Sequence, residues 1–284
     1  MKDACPSRTA LRVAERRAAH QVLDDPRIFD DPLALRILGL DKRTISDHDQ
    51  GWLDQAPLSR VLRASLAARS RHAEDTLRQA QERGVGQYVL LGAGLDTFAY
   101  RNPLPGGGLR VFEVGHPAMQ DWKRRRLHET GIAIPAHCTF APVDFEAQSL
   151  ADGLRQAKFD TTQPALFSWL GVTMYLTAGA IEATLRFVAS LPARSGIVFD
   201  YMISPALLSP KARQAFDGLS RRVAAAGEPF HTFFDPSALA GSVRDLGFGQ
   251  IEDMAPEHID AKYFQGRADG LRAGKLARLM TAWV

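Results

Sequence analysis

A chain of 284 residues, 45% hydrophobic and 24% charged, is long enough to bury one large core and too apolar for a disordered polymer. Its net charge of +3, with basic residues interleaved with acids and no aromatic stacking pattern, gives nucleic-acid binding no support. Two cysteines, Cys5 and Cys138, make neither a disulfide framework nor a metal cluster, and no apolar run reaches membrane-spanning length. A cytoplasmic protein is therefore expected, with no membrane partner and no metal.

The first 84 residues read as helix. Leu11, Ala14, Ala18 and Val22 recur at steps of three and four, Asp31-Pro32 opens a short helix, and Leu58 to Arg83 makes a long one stopped by Gly84. From Gln87 the pattern alternates. Strands are predicted at 88–92, 110–114, 137–143, 164–170 and 196–202, with helices from about 96, at 117–130, near 147–157 and at 178–190. Strands separated by helices imply parallel pairing with right-handed crossovers, hence an α/β fold. Residues 205–234, with Pro205, Pro210 and Pro229, interrupt the alternation with a further helical piece. A helix at 236–246 and strands at 248–254 and 275–284 close the pattern. The expected organisation is a helical amino-terminal cap over 1–84 and a ligand-binding domain over 85–284. A lid insertion at about 205–234 follows the fifth strand, above the carboxyl edge of the sheet where open α/β folds bind ligands.

Within this pattern, Tyr88-Val-Leu-Leu-Gly-Ala-Gly-Leu-Asp-Thr97 is an apolar run that stops at two glycines, and Glu113, nineteen residues after Gly94, closes a second apolar run. A buried strand thus delivers the chain to a turn where glycine lets another molecule approach the backbone. The next strand ends in a carboxylate that can accept from ribose hydroxyls. This is the layout of a nucleoside pocket, with Gly92, Ala93 and Gly94 at the turn and Glu113 and Val114 on the ribose side. A dinucleotide fingerprint wants a third glycine where this chain has Thr97. Asp96 puts a negative charge at the turn, which repels phosphate but can cap a helix or hold a ligand ammonium. S-adenosyl-L-methionine (SAM) carries an ammonium, a sulfonium and a ribose without phosphate, so the loop favours SAM over NAD.

Several separated blocks resemble one family. Leu91-Gly-Ala-Gly-Leu-Asp-Thr-Phe-Ala-Tyr-Arg101, Phe112-Glu-Val-Gly-His-Pro117 with Lys123, Val143-Asp-Phe145 and Gly171-Val-Thr-Met-Tyr-Leu176 are similar to SAM-dependent methyltransferases of the leucine carboxyl methyltransferase type, a group that includes polyketide O-methyltransferases. Phe29-Asp-Asp-Pro32, Ala68-Arg-Ser-Arg71 and the stretch from Tyr263 to Leu271 agree in the same order. The resemblance implies a Rossmann-like class I methyltransferase: a seven-stranded, mostly parallel sheet with the last strand antiparallel and helices on both faces. It also implies that Arg69 or Arg71 holds the SAM carboxylate, that Gly92 and Gly94 let the methionine part pass, and that Asp144 and Phe145 contact adenine. Ser168 and Trp169 join the cofactor set, and Tyr175 comes near the methyl group. Two departures each remove a charge. Where the family commonly reads Glu-Val-Asp, this chain has Glu113-Val114-Gly115, leaving the ribose hydroxyls to Glu113. Where leucine carboxyl methyltransferases carry a glutamate for the SAM ammonium, this chain has Leu170, leaving the ammonium to Asp96 or to carbonyls around Gly92 and Ser168.

Methyl transfer from a sulfonium is an in-line displacement in which the protein aligns the reactants and excludes water. A carboxylate acceptor is already ionised and needs a cationic clamp, whereas a hydroxyl benefits from a general base. His116, His231 and Asp235 are candidate bases, and Arg101 and Arg267 are candidate clamps. Tyr175, His116 and Arg267 are the expected positioning residues for O-methylation of a carboxylate or acidic hydroxyl on a small molecule or peptide. Two other functions fit the same sequence: a SAM-binding protein without catalysis, suggested by Gly115 and Leu170, and an NAD-dependent oxidoreductase. Of Arg8, Arg12, Arg16 and Arg17, most are expected on a solvated face.

Overall fold

The computed structural model describes residues 7–41, 57–102, 108–144 and 148–284. Its strands are β1 (Gln87–Leu91), β2 (Arg110–Gly115), β3 (Cys138–Pro142), β4 (Ala165–Trp169), β5 (Gly196–Met202), β6 (Gln250–Met254) and β7 (Ala277–Trp283). They form one sheet in the order β3-β2-β1-β4-β5-β7-β6. The first five run parallel, and β7 inserts antiparallel between β5 and β6. The helices are α1 (Arg8–Leu23), α2 (Pro57–Glu82), α3 (Phe98–Arg101), α4 (Pro117–Glu129), α5 (Leu150–Gln156), α6 (Ala178–Ala189), α7 (Pro210–Ala225), α8 (Pro236–Asp245) and α9 (Pro256–Tyr263). Proline at the first turn starts α4, α7, α8 and α9, where its missing N–H costs nothing. No described helix is long and apolar enough to cross a membrane.

Every residue of β1, β4 and β5 is buried, as strands covered on both faces must be. One face presents Val89, Leu91, Phe112, Phe167 and Phe199 to α5, α6 and α8. The other presents Tyr88, Leu90, Val111, Leu166 and Val198 to Ala73, Leu77 and Ala80 of α2. The amino-terminal helices therefore do two different things. The second half of α2 is a wall of the sheet layer, while α1 packs along α2 and reaches the carboxyl edge, where Ala14 meets Leu95.

Three local readings change. The helix expected from about 96 is the single turn α3, because Asn102 precedes Pro103 and leaves the helical region, with φ at 15°. Asp31-Pro32 leads into turns and a tight helical turn at Arg36–Leu38, closed by Gly39 with φ at 69°. Helix α9, which the periodicity did not reveal, fills the span between the last two strands and packs Ile259 and Phe264 against Ala64 and Ala68 of α2.

Candidate cofactor and acceptor site

The sheet changes direction of winding between β1 and β4, the position where open α/β sheets hold ligands. A cavity of about 430 Å³ lies there, over the carboxyl ends of β1, β2 and β4. Its floor is the turn Gly92-Ala-Gly-Leu-Asp96, its walls are α1, Arg69 of α2 and the Leu170–Val172 segment, and its far end is closed by Tyr175 and residues 227–231 of the insertion.

The floor is fixed by its own hydrogen bonds. The Gly92 and Ala93 amides donate to the Val114 carbonyl at 2.9 and 3.1 Å, the Asp96 amide donates to Ala93, and the Phe98 amide donates to Oδ1 of Asp96. These four amides are engaged within the protein, and α3 is one turn long, so no long helix aims its amino end at this turn as a pyrophosphate site would. Gly92 sits at φ 69°, and a Cβ there would lie 2.6 Å from Cγ2 of Val172. Only glycine meets both demands.

Beneath the floor is a buried charge network. Arg17 of α1 is 5% exposed; it contacts Asp31, reaches Oδ2 of Asp96 at 3.4 Å and donates to the Thr97 hydroxyl at 2.8 Å. Arg101 pairs with Glu74 and lies 3.4 Å from Asp31. Arg17, one of the four amino-terminal arginines, is thus held by the protein's own side chains; its partner Asp31 stands in the Phe29-Asp-Asp-Pro32 block, but one sequence does not show the pairing. Arg101, a candidate clamp, belongs to the same network and does not line the cavity.

The predicted cofactor residues divide in two. Arg69, Gly92, Ala93, Gly94, Asp96 and Ser168 all line the cavity. Arg69 donates to Asp200 at 2.7 Å while its guanidinium rests against Gly171, where a Cβ would lie 2.6 Å from Nη2. Asp200 also accepts from the Gly171 amide, so the end of β4 and the arginine are locked together. Arg71 does not line the cavity: it is exposed on the other side of α2 and binds Asp75.

Glu113 is displaced from its expected role. It lies two residues before the end of β2, 1% exposed, and pairs with Lys123 at 2.7 Å. Burial pushes its carboxyl up from the usual range, opposed by Lys123. Lys123 also donates to the Asp96 carbonyl at 2.8 Å, so the pair supports the floor from below instead of facing a ribose. Val114 points into the core and contributes only its carbonyl, and the period of two that turns Ser168 to the cavity sends Trp169 into the core against Phe199. Asp144, after β3, does not line the cavity, and Phe145 lies outside the described residues.

Of the expected positioning residues, Tyr175 and His116 line the cavity and Arg267 does not. Arg267 binds Asp269 and the Pro26 carbonyl. The His116 ring caps α4, accepting from the Ala118 amide. Burial pushes the Tyr175 hydroxyl up to about 12, so it is a neutral donor near pH 7. Asp235 caps α8 through the Ser237 and Ala238 amides. Sequence reasoning missed Glu228, which lines the cavity and accepts from the Thr9 amide at 3.2 Å, tying the insertion to the start of α1.

The polar lining suits a phosphate-free, zwitterionic nucleoside: two guanidiniums, Arg69 and Arg17, the second taken up by Asp31 and Asp96, two carboxylates (Asp96 and Glu228) and a glycine turn that admits close approach. SAM, which carries a carboxylate, an ammonium and no phosphate, fits this set. Among the described residues no carboxylate lines the wall at the end of β2; Gly115, His116 and Met119 do.

The family model described as leucine carboxyl methyltransferase matches residues 10–189. A Bacillus subtilis protein named "Putative S-adenosyl-L-methionine-dependent methyltransferase YktD" is 31% identical, over 94% of each chain. A Mycobacterium marinum protein named "Putative S-adenosyl-L-methionine-dependent methyltransferase" is 36% identical over 74% of this chain and 70% of its own. Among solved structures, one described as "a putative methyltransferase from Thermobifida fusca" superposes with a TM-score of 0.57 at 16% identity, covering 99% of this chain and 96% of that one. This last likeness is one of fold.

Proposed function

This chain belongs to the leucine carboxyl methyltransferase family of SAM-dependent methyltransferases, and from that premise we propose that it moves the SAM methyl group to an oxygen of a small-molecule or peptide acceptor. The observation that carries the reading is the shape of the cavity. Its cofactor end, with Arg69 and the Gly92–Asp96 turn, continues without a break to Tyr175 and His231, side chains that suit an oxygen acceptor.

SAM supplies a methyl on a sulfonium, whose leaving group is a neutral thioether. The protein's own residues bind and orient. Arg69, held by Asp200 and Gly171, presents its guanidinium to a carboxylate, a geometry that suits bidentate contact. Asp96 and Glu228 provide the negative charge for an ammonium. The Tyr175 hydroxyl donates without ionising, and the contact between Glu228 and the start of α1 ties the insertion across one side of the cavity.

The test is incubation with tritiated-methyl SAM and a panel of small hydroxy and carboxy compounds, followed by mass spectrometry of the product. Methyl on oxygen is expected, as a base-stable ether or a base-labile ester. Label found only on nitrogen or carbon would defeat the proposal.

A further inference from the structure

A second, more open cavity adjoins the first. It is lined by Thr177, Ser204, Thr232 and Phe233, and it shares Tyr175 and His231 with the cofactor cavity. An acceptor lying in it meets the cofactor cavity between those two side chains. Among its described lining residues no Lys, Arg, Asp or Glu appears. Its side-chain polar atoms are hydroxyls and one imidazole, and its apolar lining comes from Tyr175, Phe233, Ala178 and Pro205. Behind this lining, Tyr175 lies tilted against Phe230 with centroids 5.5 Å apart, and Phe230 and Phe233 pack with Phe216. A carboxylate acceptor needs a cationic clamp, and the two considered from the sequence, Arg101 and Arg267, are engaged elsewhere.

We propose that the second cavity takes a neutral aromatic compound bearing a hydroxyl group, and that His231 is the general base for that hydroxyl. This rests on the O-methyl transfer proposed above and names its acceptor class. The acceptor oxygen forms the new C–O bond as the methyl C–S bond breaks, the electron pair of that bond stays on sulfur, and the hydroxyl proton passes to the His231 ring and then to water.

Elimination supports His231. The other charged or titratable side chains on the two cavities are Arg17, Arg69, Asp96, His116, Tyr175 and Glu228. Arg17 and Asp96 contact one another, Arg69 is held by Asp200, His116 caps α4 and Glu228 takes the Thr9 amide. The Tyr175 hydroxyl holds its proton until about pH 12. His231 is placed by its backbone, whose amide donates to the Met174 carbonyl at 2.7 Å, while the Thr232 hydroxyl donates to Leu176. This fixes the start of the side chain and leaves the ring facing both cavities.

The experiment uses the full chain and matched pairs of arenes: phenol with benzoic acid, and 2-naphthol with 2-naphthoic acid. Calorimetry without SAM is expected to show binding of 2-naphthol and not of 2-naphthoate. With SAM, the hydroxyl members are expected to yield base-stable methyl ethers. His231→Gln is expected to lower the rate of ether formation about a hundredfold or more, with SAM affinity unchanged. In His231→Gly, added imidazole is expected to restore transfer, which a purely structural role would not allow. Preference for the carboxy members, or transfer to no hydroxyl member, overturns the acceptor class. An unchanged rate in His231→Gln overturns the base. Methyl ester products would overturn this inference while leaving O-methyl transfer standing, whereas label on nitrogen or carbon alone would remove both.

Discussion

The two ends of the site are built from opposite materials. Behind the glycine turn, Arg17, Asp31, Glu74, Asp96 and Arg101 form a desolvated charge network in which each side chain fixes the next. Around the acceptor end, Met174, Met202, Phe216, Phe230 and Phe233 form a small apolar cluster under an insertion with exposed helical faces. Buried ion pairs are intolerant of loss, since removing one partner strands the other in a low-dielectric interior. Aromatic and methionine contacts repack at modest cost. A site that must hold one cofactor geometry and accommodate a particular acceptor is served by this division: directional charges position the constant ligand, and deformable apolar surface shapes the variable one.

The largest test of the contrast is Asp31→Ala, which strips a carboxylate from both Arg17 and Arg101. A loss of about 3–5 kcal/mol in urea unfolding is expected, and a loss close to zero would mean that the network is solvated. Acid attacks a different buried group of α2. His72 of α2, hydrogen-bonded to Thr281 and Tyr263, has its pKa pushed down to about 4 by burial and by Lys262. Because the folded value lies below the unfolded one near 6.5, its stabilising effect is complete above pH 6.5 and is lost as pH falls toward 4. That amounts to about 3 kcal/mol, and His72→Asn is expected to flatten this part of the stability profile. Asp24 behaves likewise at lower pH. Burial pushes its carboxyl up, but Arg63 and His20 prevail and hold it at about 2, so that contribution fades only below about pH 3.8.

Arg69→Ala is expected to weaken SAM binding by about 1.5–3 kcal/mol in calorimetry, whereas Arg71→Ala, two residues along the same helix, is expected to change it by less than about 0.5 kcal/mol. Equal effects would show that the cavity does not hold the ligand by its carboxylate. Smallest of all, Phe230→Leu is expected to cost less than about 1.5 kcal/mol of stability and to shift the KM for acceptor while SAM affinity stays put. A change in SAM affinity instead would erase the distinction between the two ends.

The strands, their parallel order and the Gly92–Gly94 turn were legible because each depends on local pattern: apolar runs, glycine and the helices between. The carboxyl-edge location followed from topology. Glu113 was misplaced because its fate is decided by Lys123, ten residues later on a different element, and a strand pattern does not say which neighbour will neutralise a buried acid. Arg17 was hidden for the same reason, its partners lying 14 and 79 residues away. The stop after α3 was readable in Asn102-Pro103, yet the preceding Thr97-Phe-Ala-Tyr-Arg101 carries no sign that it would form only one turn. Glu228 gave no signal at all, because its partner is a backbone amide at the start of α1.

The position of β7 has a consequence for biosynthesis. β6 borders only β7, and β5 finds its second neighbour only there, so until residues 277–283 emerge from the ribosome both strands present unsatisfied edges. A nascent chain stalled before that point carries two sticky borders next to an otherwise finished sheet, the circumstance in which chaperone capture or intermolecular strand pairing competes with folding.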